Sequence, residues 1–347
     1  MLSPQVILKS LALMLALFAV PLSLFGLCCV ITWQGTLLSS AAGLLGLGPL
    51  LYWIGDKRGS TQQMRLGKIF VVTACIAAAV VLWQTPDART SEASRIHSRY
   101  SDGGWHYDRF SIGSVLPEID QIHLGYAVAS ALDPLFTQKQ RRELSAMTDA
   151  IYAQAGADPD FTAAGSALPS IYSEMTLGQF RDGHYYHYIP AKVDRTRPTP
   201  ALVFLHGSGG NFKAYIWLLS QLADELGITA IDPAQIHLMG LSNGGKGLCL
   251  AESAAGPKFR SLIFLSAVLH SRIRPAQLAA RLHPRPVLIL SGDSDDRVPW
   301  EYVSDYADTL KAGGLDVTTH RFAGEDHFVF FRKSAEVQKL VSAWVRR

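Results

Sequence analysis

The stretch QIHLMGLSNGGKG, residues 235–247, contains the turn that decides the fold. An apolar run ends at Gly240, and Ser242 follows between glycines, with a segment of helical character behind it. A sharp turn from a strand into a helix crowds its own backbone, so small residues are needed two positions on either side of the serine. Such a turn lifts the serine hydroxyl clear of the sheet, toward the positive end of the helix. The stretch therefore predicts an exposed serine at the end of a strand.

Short apolar runs alternate with helical segments on both sides of this turn, from about residue 175 to the C-terminus. The predicted strands are 184–190, 201–207, 236–240, 261–268, 286–292 and 316–322. The predicted helices are 213–226, the segment after Ser242, 300–313 and the C-terminal segment that begins at Lys333. This alternation predicts a parallel sheet flanked by helices. The continuous apolar runs predict strands that are buried on both faces.

Two later segments supply partners for the serine, whose hydroxyl is a weak nucleophile until a base takes its proton. GDSDDRVP, residues 292–299, follows a predicted buried strand and holds a cluster of acids. FAGEDHFVF, residues 322–330, follows the last predicted strand and contains His327. The chain thus offers a nucleophile, an acid and a base, in that order.

These motifs resemble those of the α/β-hydrolase family. Residues 240–244 match G-x-S-x-G, and residues 292–299 match the G-x-x-D-x-x-V-P pattern that commonly holds the family's acid. The likeness is greatest to esterases and to hydrolases of the prolyl-oligopeptidase and feruloyl-esterase type. The resemblance implies an α/β-hydrolase fold over residues 175–347, with a mostly parallel sheet flanked by helices.

The resemblance also implies a catalytic triad. Ser242 would be the nucleophile, His327 the base, and Asp295 the acid, in the order that the family uses. Asp293 and Asp296 are rival candidates for the acid. As loop or capping carboxylates, they would need no catalytic function. The acid holds the tautomer of the imidazole and stabilises the imidazolium, and it need not take a proton itself.

An oxyanion hole is implied by the glycine-rich turn LHGSGGN, residues 205–211. The expected donors are the backbone N–H groups of Asn243, just after the nucleophile, and of Ser208. Gly209 is the alternative second donor. Loss of one such donor typically lowers the rate about 100- to 1000-fold.

Other kinds of site find no support in the sequence. No His, Cys and Glu cluster has metal-ligand spacing, and neither a phosphate-binding loop nor a dinucleotide fingerprint is present, so we expect no cofactor and no metal. The net charge of +3 is too small and dispersed to favour nucleic acid as a partner. Among the four cysteines, Cys249 alone lies in the polar part of the chain, where we interpret it as buried packing.

The first 84 residues predict a membrane region. The chain is 48% hydrophobic and only 18% charged, whereas soluble domains carry about 25% charged residues. The apolar excess lies in three segments, Leu11–Trp33, 36–54 and 69–84. A spanning helix needs about 20 apolar residues, so we expect about three transmembrane helices within residues 1–84.

The basic residues predict the orientation of these helices. Residues 56–68 hold two lysines and two arginines against one aspartate. Such loops face the cytoplasm, so the N-terminus would lie inside and everything after residue 85 outside. Two spans instead of three would reverse this orientation. With three spans the protein is a multi-pass membrane protein whose hydrolase domain is extracytoplasmic.

One departure from the family pattern occurs in ELGITAIDPAQIHLMG, residues 225–240. The strand-like segment 228–231 lies only three residues before the next strand, whereas a parallel crossover needs about a dozen residues. Either the chain lacks a segment near 231–232, or the domain has lost one strand–helix unit. In the second case, helix 213–226 connects the strands at 201–206 and 236–240 directly.

The sequence thus predicts a membrane region at 1–84, an accessory region of unassigned role at 85–174 and a hydrolase domain at 175–347. The leading hypothesis is a membrane-anchored serine hydrolase that cleaves a small-molecule carboxylic ester through an acyl-enzyme. The alternatives are a peptidase or amidase with the same triad, and a hydrolase-like domain that binds without turnover. The lipid bilayer is the expected partner of the N-terminal helices.

Overall fold

The computed structural model describes residues 4–84, 95–100, 115–156, 158, 161, 184–190, 198–207, 213–226, 230–255, 258–282 and 285–347. The chain divides into two compact units. The first comprises Met1–Ser94 and Ser98–Tyr185, and the second comprises Arg95–His97 and Tyr186–Arg347. The three-part division predicted from the sequence stays a prediction.

Three long apolar helices begin the first unit: α1 (Pro4–Cys29), α2 (Trp33–Arg58) and α3 (Thr61–Gln84). Each is long and apolar enough to cross a membrane. Helices α2 and α3 extend beyond the predicted apolar segments, because hydropathy marks the apolar middle of a helix while its backbone continues through polar ends. The basic stretch 56–68 therefore lies mostly in helix, and Gly59, with a φ of 65°, caps the end of α2. Helix α1 begins before the predicted Leu11 but ends at Cys29, and the predicted end of that segment, Trp33, begins α2.

Small residues bring α2 close to its neighbours. A Cβ at Gly48 would lie 2.9 Å from the carbonyl oxygen of Gly67, and a Cβ at Gly67 would lie 2.7 Å from the amide nitrogen of Tyr52. On the other side of α2, a Cβ at Gly43 would lie 2.6 Å from Oγ of Ser23. Helices in lipid associate through this kind of close backbone packing. The glycines of the second apolar segment thus contact α1 and α3.

Two shorter helices, α4 (Glu118–Leu132) and α5 (Gln138–Ala155), also belong to the first unit. Thr137 caps α5 in a capping box with Gln140. Strands β1 (Ile96–Tyr100) and β2 (His184–Tyr188) form a separate two-stranded sheet.

A parallel sheet forms the centre of the second unit, with its five strands in chain order. The strands are β3 (Pro198–Leu205), β4 (Ala230–Leu241), β5 (Ser261–Leu265), β6 (Val287–Gly292) and β7 (Val317–Phe322). The helices are α6 (Lys213–Leu226), α7 (Gly244–Ala255), α8 (Pro275–Leu282), α9 (Trp300–Ala312), α10 (Val329–Arg332) and α11 (Ser334–Val345). Helix α6 has the predicted bounds, and the predicted strands differ from these mainly at their ends.

Helices cover both faces of this sheet. Leu238 of β4 and Leu262 of β5 pack against α7, α8 and α9, while the next residues, Met239 and Ile263, pack against α6, α10 and α11. Strands β5 and β6 are buried along their whole length, as expected for parallel strands covered on both faces. The predicted fold class, a parallel sheet flanked by helices and preceded by apolar helices, is confirmed.

Strand β4 shows how the chain accommodates its departure from the family pattern. It pairs with β3 from Ala230 onward, but β3 advances from Thr199 to Ala201 while β4 advances from Ile231 to Ile236. The extra residues form an irregularity in which Oδ1 of Asp232 accepts the N–H of Ala234 at 2.8 Å. Helix α6 therefore connects β3 to β4 directly, as in the second of the two predicted arrangements.

A buried histidine makes the stability of the second unit depend on pH. His237 is 2% exposed, its Nδ1 lies 2.6 Å from Oγ of Ser261, and Trp344 donates to the same oxygen. Burial, with a smaller contribution from Arg260, lowers the pKa of His237 to about 4.

We expect this group to destabilise the fold as the pH falls. Its pKa in the unfolded chain is about 6.5, so below that pH the unfolded state binds the extra proton. The stabilisation is complete above about pH 6.5 and is lost toward pH 4, by up to about 3 kcal/mol. Unfolding midpoints between pH 7.5 and 4.5 should fall more steeply for the wild type than for His237→Gln. Equal slopes would contradict the assignment.

Candidate active site

Ser242 lies in the turn between β4 and α7, with a φ of 52°. A positive φ is unusual for a residue other than glycine and needs support from the surrounding structure. The N–H of Ser242 donates to the carbonyl of Leu265 at 3.1 Å, and its carbonyl accepts the N–H groups of Gly245 and Val268 at 3.0 Å each. Three backbone hydrogen bonds thus hold the strained turn in place.

The glycines around Ser242 are required by close backbone contacts. A Cβ at Gly240 would lie 2.8 Å from the carbonyl carbon of Gly244, and a Cβ at Gly244 would overlap the carbonyl of Leu205 in β3. A Cβ at Gly245 would lie 2.7 Å from the carbonyl oxygen of Val268. The sequence predicted that small residues are required here. The structure shows that close contacts within the turn, with β3 and with the segment after β5 impose that requirement.

His327 follows β7 and connects the other two predicted triad residues. Its Nε2 lies 3.0 Å from Oγ of Ser242, and its Nδ1 lies 2.8 Å from Oδ2 of Asp295. The histidine side chain is 11% exposed, and that of the aspartate is fully buried. The structure thus brings together three side chains that are far apart in the sequence.

Asp295 is fixed by the loop after β6. Its Oδ1 accepts the N–H groups of Arg297 at 2.9 Å and Val298 at 2.8 Å. These bonds leave Oδ2 directed at His327. The carboxylate can therefore hold the imidazole with Nδ1 protonated and Nε2 free to accept a proton.

The rival acids contact other groups. Oδ1 of Asp293 accepts the N–H of Gly324 at 2.7 Å, and Oδ2 pairs with Arg321 at 3.1 Å. The hydrogen bond from Gly324, with smaller contributions from Ser294 and Arg321, lowers the pKa of Asp293. Asp296 is exposed. The structure therefore places Asp293 in a loop-fixing role and directs only Asp295 of the three at the histidine.

The predicted oxyanion hole is described in part. Ser208 and its alternative Gly209 lie outside the described residues. Asn243 directly follows the serine, as the motif requires. Gly207, two residues after β3, faces Ser242, because a Cβ there would lie 3.0 Å from Cβ and 3.6 Å from Oγ of that serine. The turn after β3 therefore begins beside the hydroxyl, and both donor assignments stay predictions.

Sequence reasoning missed two residues that support the site. Ser266, at the end of β5, is fully buried with a φ of 42°, and its N–H donates to Leu290 at 2.8 Å. It follows Leu265, whose carbonyl holds the N–H of Ser242. Gly207 was also passed over, although its place in the glycine-rich turn was a usable signal. Nothing in the local sequence marks Ser266, because its strain arises from contacts between strands.

The ring of Phe328, the residue after the histidine, lies edge-on to the ring of His327, with the two ring centroids 5.9 Å apart. Phe330 is buried and stacks on Phe204 and Tyr215. Within the described part of the chain, no group of three or more His, Cys, Asp and Glu side chains is arranged to hold a metal ion.

The arrangement suits nucleophilic chemistry. A hydroxyl within 3.0 Å of an imidazole nitrogen can pass its proton to that nitrogen as it attacks an electrophilic carbon. The buried carboxylate then stabilises the imidazolium that forms.

Comparisons with known proteins gave matches among solved structures only. No family model and no curated protein matches the chain. Est1E from Butyrivibrio proteoclasticus is 16% identical over 43% of this chain and 88% of its own, with a TM-score of 0.36. The butyrate-bound thermophilic esterase Est2 from Thermogutta terrifontis is 17% identical over 46% and 86%, with a TM-score of 0.35. Dipeptidyl peptidase 4 from Porphyromonas gingivalis is 16% identical over 46% and 32%, with a TM-score of 0.34.

Alanine substitutions in α7 test the turn. Gly244→Ala should destabilise the fold by about 1–3 kcal/mol, as overpacking typically does, because its Cβ meets the backbone of β3. Gly247→Ala is the matched control, since its Cβ would lie 3.2 Å from the flexible Cδ1 of Leu205 and alanine favours helix. Thermal unfolding of both variants in detergent provides the comparison. Equal melting temperatures would contradict the described contacts.

Proposed function

We propose that this protein is a membrane-anchored serine hydrolase that cleaves carboxylic esters through an acyl-enzyme. The observation that carries the proposal is the continuous chain of hydrogen bonds from Ser242 through His327 to Asp295, at 3.0 and 2.8 Å. Those distances match what a nucleophile, its base and the group that orients the base require.

In the acylation step, Oγ of Ser242 attacks the ester carbonyl while Nε2 of His327 takes the hydroxyl proton. The N–H groups proposed as oxyanion donors, those of Asn243 and Ser208, stabilise the negative charge on the tetrahedral intermediate. The intermediate collapses, the C–O bond to the alcohol breaks, and the imidazolium gives its proton to the departing oxygen. Asp295 stabilises the imidazolium throughout.

In the deacylation step, His327 takes a proton from water as the water attacks the acyl carbon. A second tetrahedral intermediate forms, and its collapse returns the proton to Oγ of Ser242. The carboxylic acid leaves, and the enzyme regains its starting state. The cycle needs no cofactor, since every proton moves between the substrate, water and the histidine.

The preference for esters rests on the leaving group. An alkoxide leaves more readily than an amide nitrogen, which must be protonated as the C–N bond breaks. Between β5 and β6 the described chain holds one short helix, α8, so that connection adds no large cap over the site. We therefore propose that the substrate is a small-molecule ester and that the hydrolase domain, residues 175–347, cleaves it.

We propose that α1, α2 and α3 anchor the protein in a membrane as three spans. The basic residues between 56 and 68 lie at the end of the bundle where α2 meets α3, which we place in the cytoplasm. An odd number of spans then puts the chain after α3, including the accessory region 85–174 and the hydrolase domain, outside the cytoplasm.

A fluorophosphonate probe tests the nucleophile. The detergent-solubilised wild type should become covalently labelled, and Ser242→Ala should not. Hydrolysis of p-nitrophenyl esters should exceed that of peptidyl amides in a matched panel. Failure of the folded wild type to label would favour a domain that binds without turnover, and faster amide cleavage would favour a peptidase.

Paired substitutions in the loop after β6 test the acid. Asp295→Asn should lower kcat by about 10⁴-fold, because the histidine loses the partner that holds its tautomer. Asp296→Asn is the matched control, since Asp296 is exposed in the same loop, and it should change kcat less than about threefold. Ester hydrolysis by both variants under saturating substrate provides the measurement. Equal losses in the two variants would remove Asp295 from the proposed triad.

A further inference from the structure

A buried carboxylate joins α4 to the end of the apolar helices. Oδ1 of Asp120, in the first turn of α4, accepts the N–H groups of Ile31 at 2.7 Å and Thr32 at 3.1 Å. Its Oδ2 accepts the hydroxyl of Thr32, which caps α2 by accepting the N–H of Gly35. Asp120 is fully buried. Helix α4 therefore begins at the level where α1 ends and α2 begins.

Helices α4 and α5 form a pair, and a second contact joins the other end of this α4–α5 pair to the bundle of α1, α2 and α3. The guanidinium of Arg141, in the first turn of α5, lies close enough to the thiol of Cys29, at the end of α1, to interact with it electrostatically. Helices α4 and α5 are antiparallel, since His123 contacts Asp149 at 2.7 Å while Gln138 begins α5 beside the end of α4. Asp120 and Arg141 thus lie about 15 Å apart along the pair.

These two contacts fix the direction of the α4–α5 pair. A helical pair that projected away from the bundle would contact it through one end only. Since both ends contact the α1–α2 connection or the end of α1, the pair lies across the end of the bundle. The axis of α4 is therefore transverse to α1 and α2.

Tryptophans mark this end of the bundle as the level of a membrane surface. Trp33, which begins α2, is 48% exposed, and Trp83, next to the end of α3, is 82% exposed. Exposed indoles at the ends of apolar helices are typical of the boundary between lipid and water. Asp120 contacts the residue that directly precedes Trp33, so α4 starts at this boundary.

The side of α4 that continues from Asp120 is apolar, and it is exposed toward the end of the helix. Residues four, seven, eight and eleven positions after Asp120 lie on or beside its helical face; Leu124 is half-buried and Ala127 is buried, whereas Val128 and Ala131 are exposed. Val128 is 43% exposed and the adjoining Leu132 is 79% exposed. At one end of this face a carboxylate contacts the bundle, and beyond that contact the face has only apolar side chains.

We propose that this face of α4 lies in the membrane surface, with its side chains in the boundary between headgroups and acyl chains. The face consists of Leu124, Val128, Ala131 and Leu132, with Leu135 after the helix. Lipid covers this face because the face begins at the membrane boundary and extends transversely from the spanning helices. The inference rests on the proposed membrane anchoring and is independent of the hydrolase chemistry.

Nitroxide labels in the full-length protein test the placement. The background is Cys28→Ser with Cys75→Ser, which removes the two exposed cysteines of the described chain. Into it, Val128→Cys and Leu132→Cys are introduced singly, and the protein is reconstituted into phosphatidylcholine nanodiscs. The matched control is Ala150→Cys, an exposed position nine residues after Arg141 and so on the opposite side of α5.

Labels at positions 128 and 132 should collide several-fold more often with oxygen than with a water-soluble nickel chelate. The label at 150 should show the reverse. A water-like ratio at both 128 and 132 would overturn the proposal, as would a lipid-like ratio at 150 equal to theirs. Circular dichroism on each labelled protein verifies that the helices are intact.

A label on Cys75, in a protein that carries Cys28→Ser alone, separates this proposal from the anchoring on which it rests. Cys75 lies in the middle of α3 and is exposed in the isolated chain. A lipid-like ratio at 75 with water-like ratios at 128 and 132 would refute the surface helix and leave the anchoring intact. A water-like ratio at 75 would refute the anchoring itself.

Discussion

The hydrogen bonds that hold Ser242 in its strained conformation tie the nucleophile to the sheet. Its N–H and its carbonyl are both engaged by residues at and after the end of β5, while the neighbouring Gly244 contacts the carbonyl of Leu205 in β3. The position of the hydroxyl therefore depends on the mutual register of three strands. A change in that register would displace Oγ of Ser242 even if His327 and Asp295 were unchanged.

The other half of the site is held by a similar contact between loops. A Cβ at Gly292 would overlap the carbonyl of Glu325, and the N–H of Ser294 donates to that same carbonyl at 2.9 Å. The loop that carries Asp295 is thus packed directly on the loop that carries His327. Because all the strands are parallel, the segments after β4, β6 and β7 meet at one edge of the sheet. The geometry of the Ser242, His327 and Asp295 side chains follows from strand order together with these glycine contacts.

The sequence predicted those features that depend on local crowding or local periodicity. The small residues around Ser242, the buried strands and helix α6 all belong to this class. The start of α3 was not predictable, because Arg65 and Lys68 are polar yet helical. The irregular course of β4 at Asp232 and the strain at Ser266 arise from pairing with other strands, which a single sequence does not display. The resemblance to the family's G-x-x-D-x-x-V-P pattern favoured Asp295 over its neighbours, and the fold shows that its carboxylate is the one directed at His327.

The direct connection from β3 to β4 bears on whether the shortened sheet can still support chemistry. The proposed triad draws on the ends of β4, β6 and β7, and these strands belong to an uninterrupted parallel block that includes β5. Gly207, which faces Ser242, continues from β3, and β3 pairs with β4 from Ala201 to Leu205 without irregularity. The irregularity at Asp232 lies at the opposite end of β4 from Ser242. The direct connection from β3 to β4 therefore leaves in place the described contacts that join Ser242, His327 and Asp295.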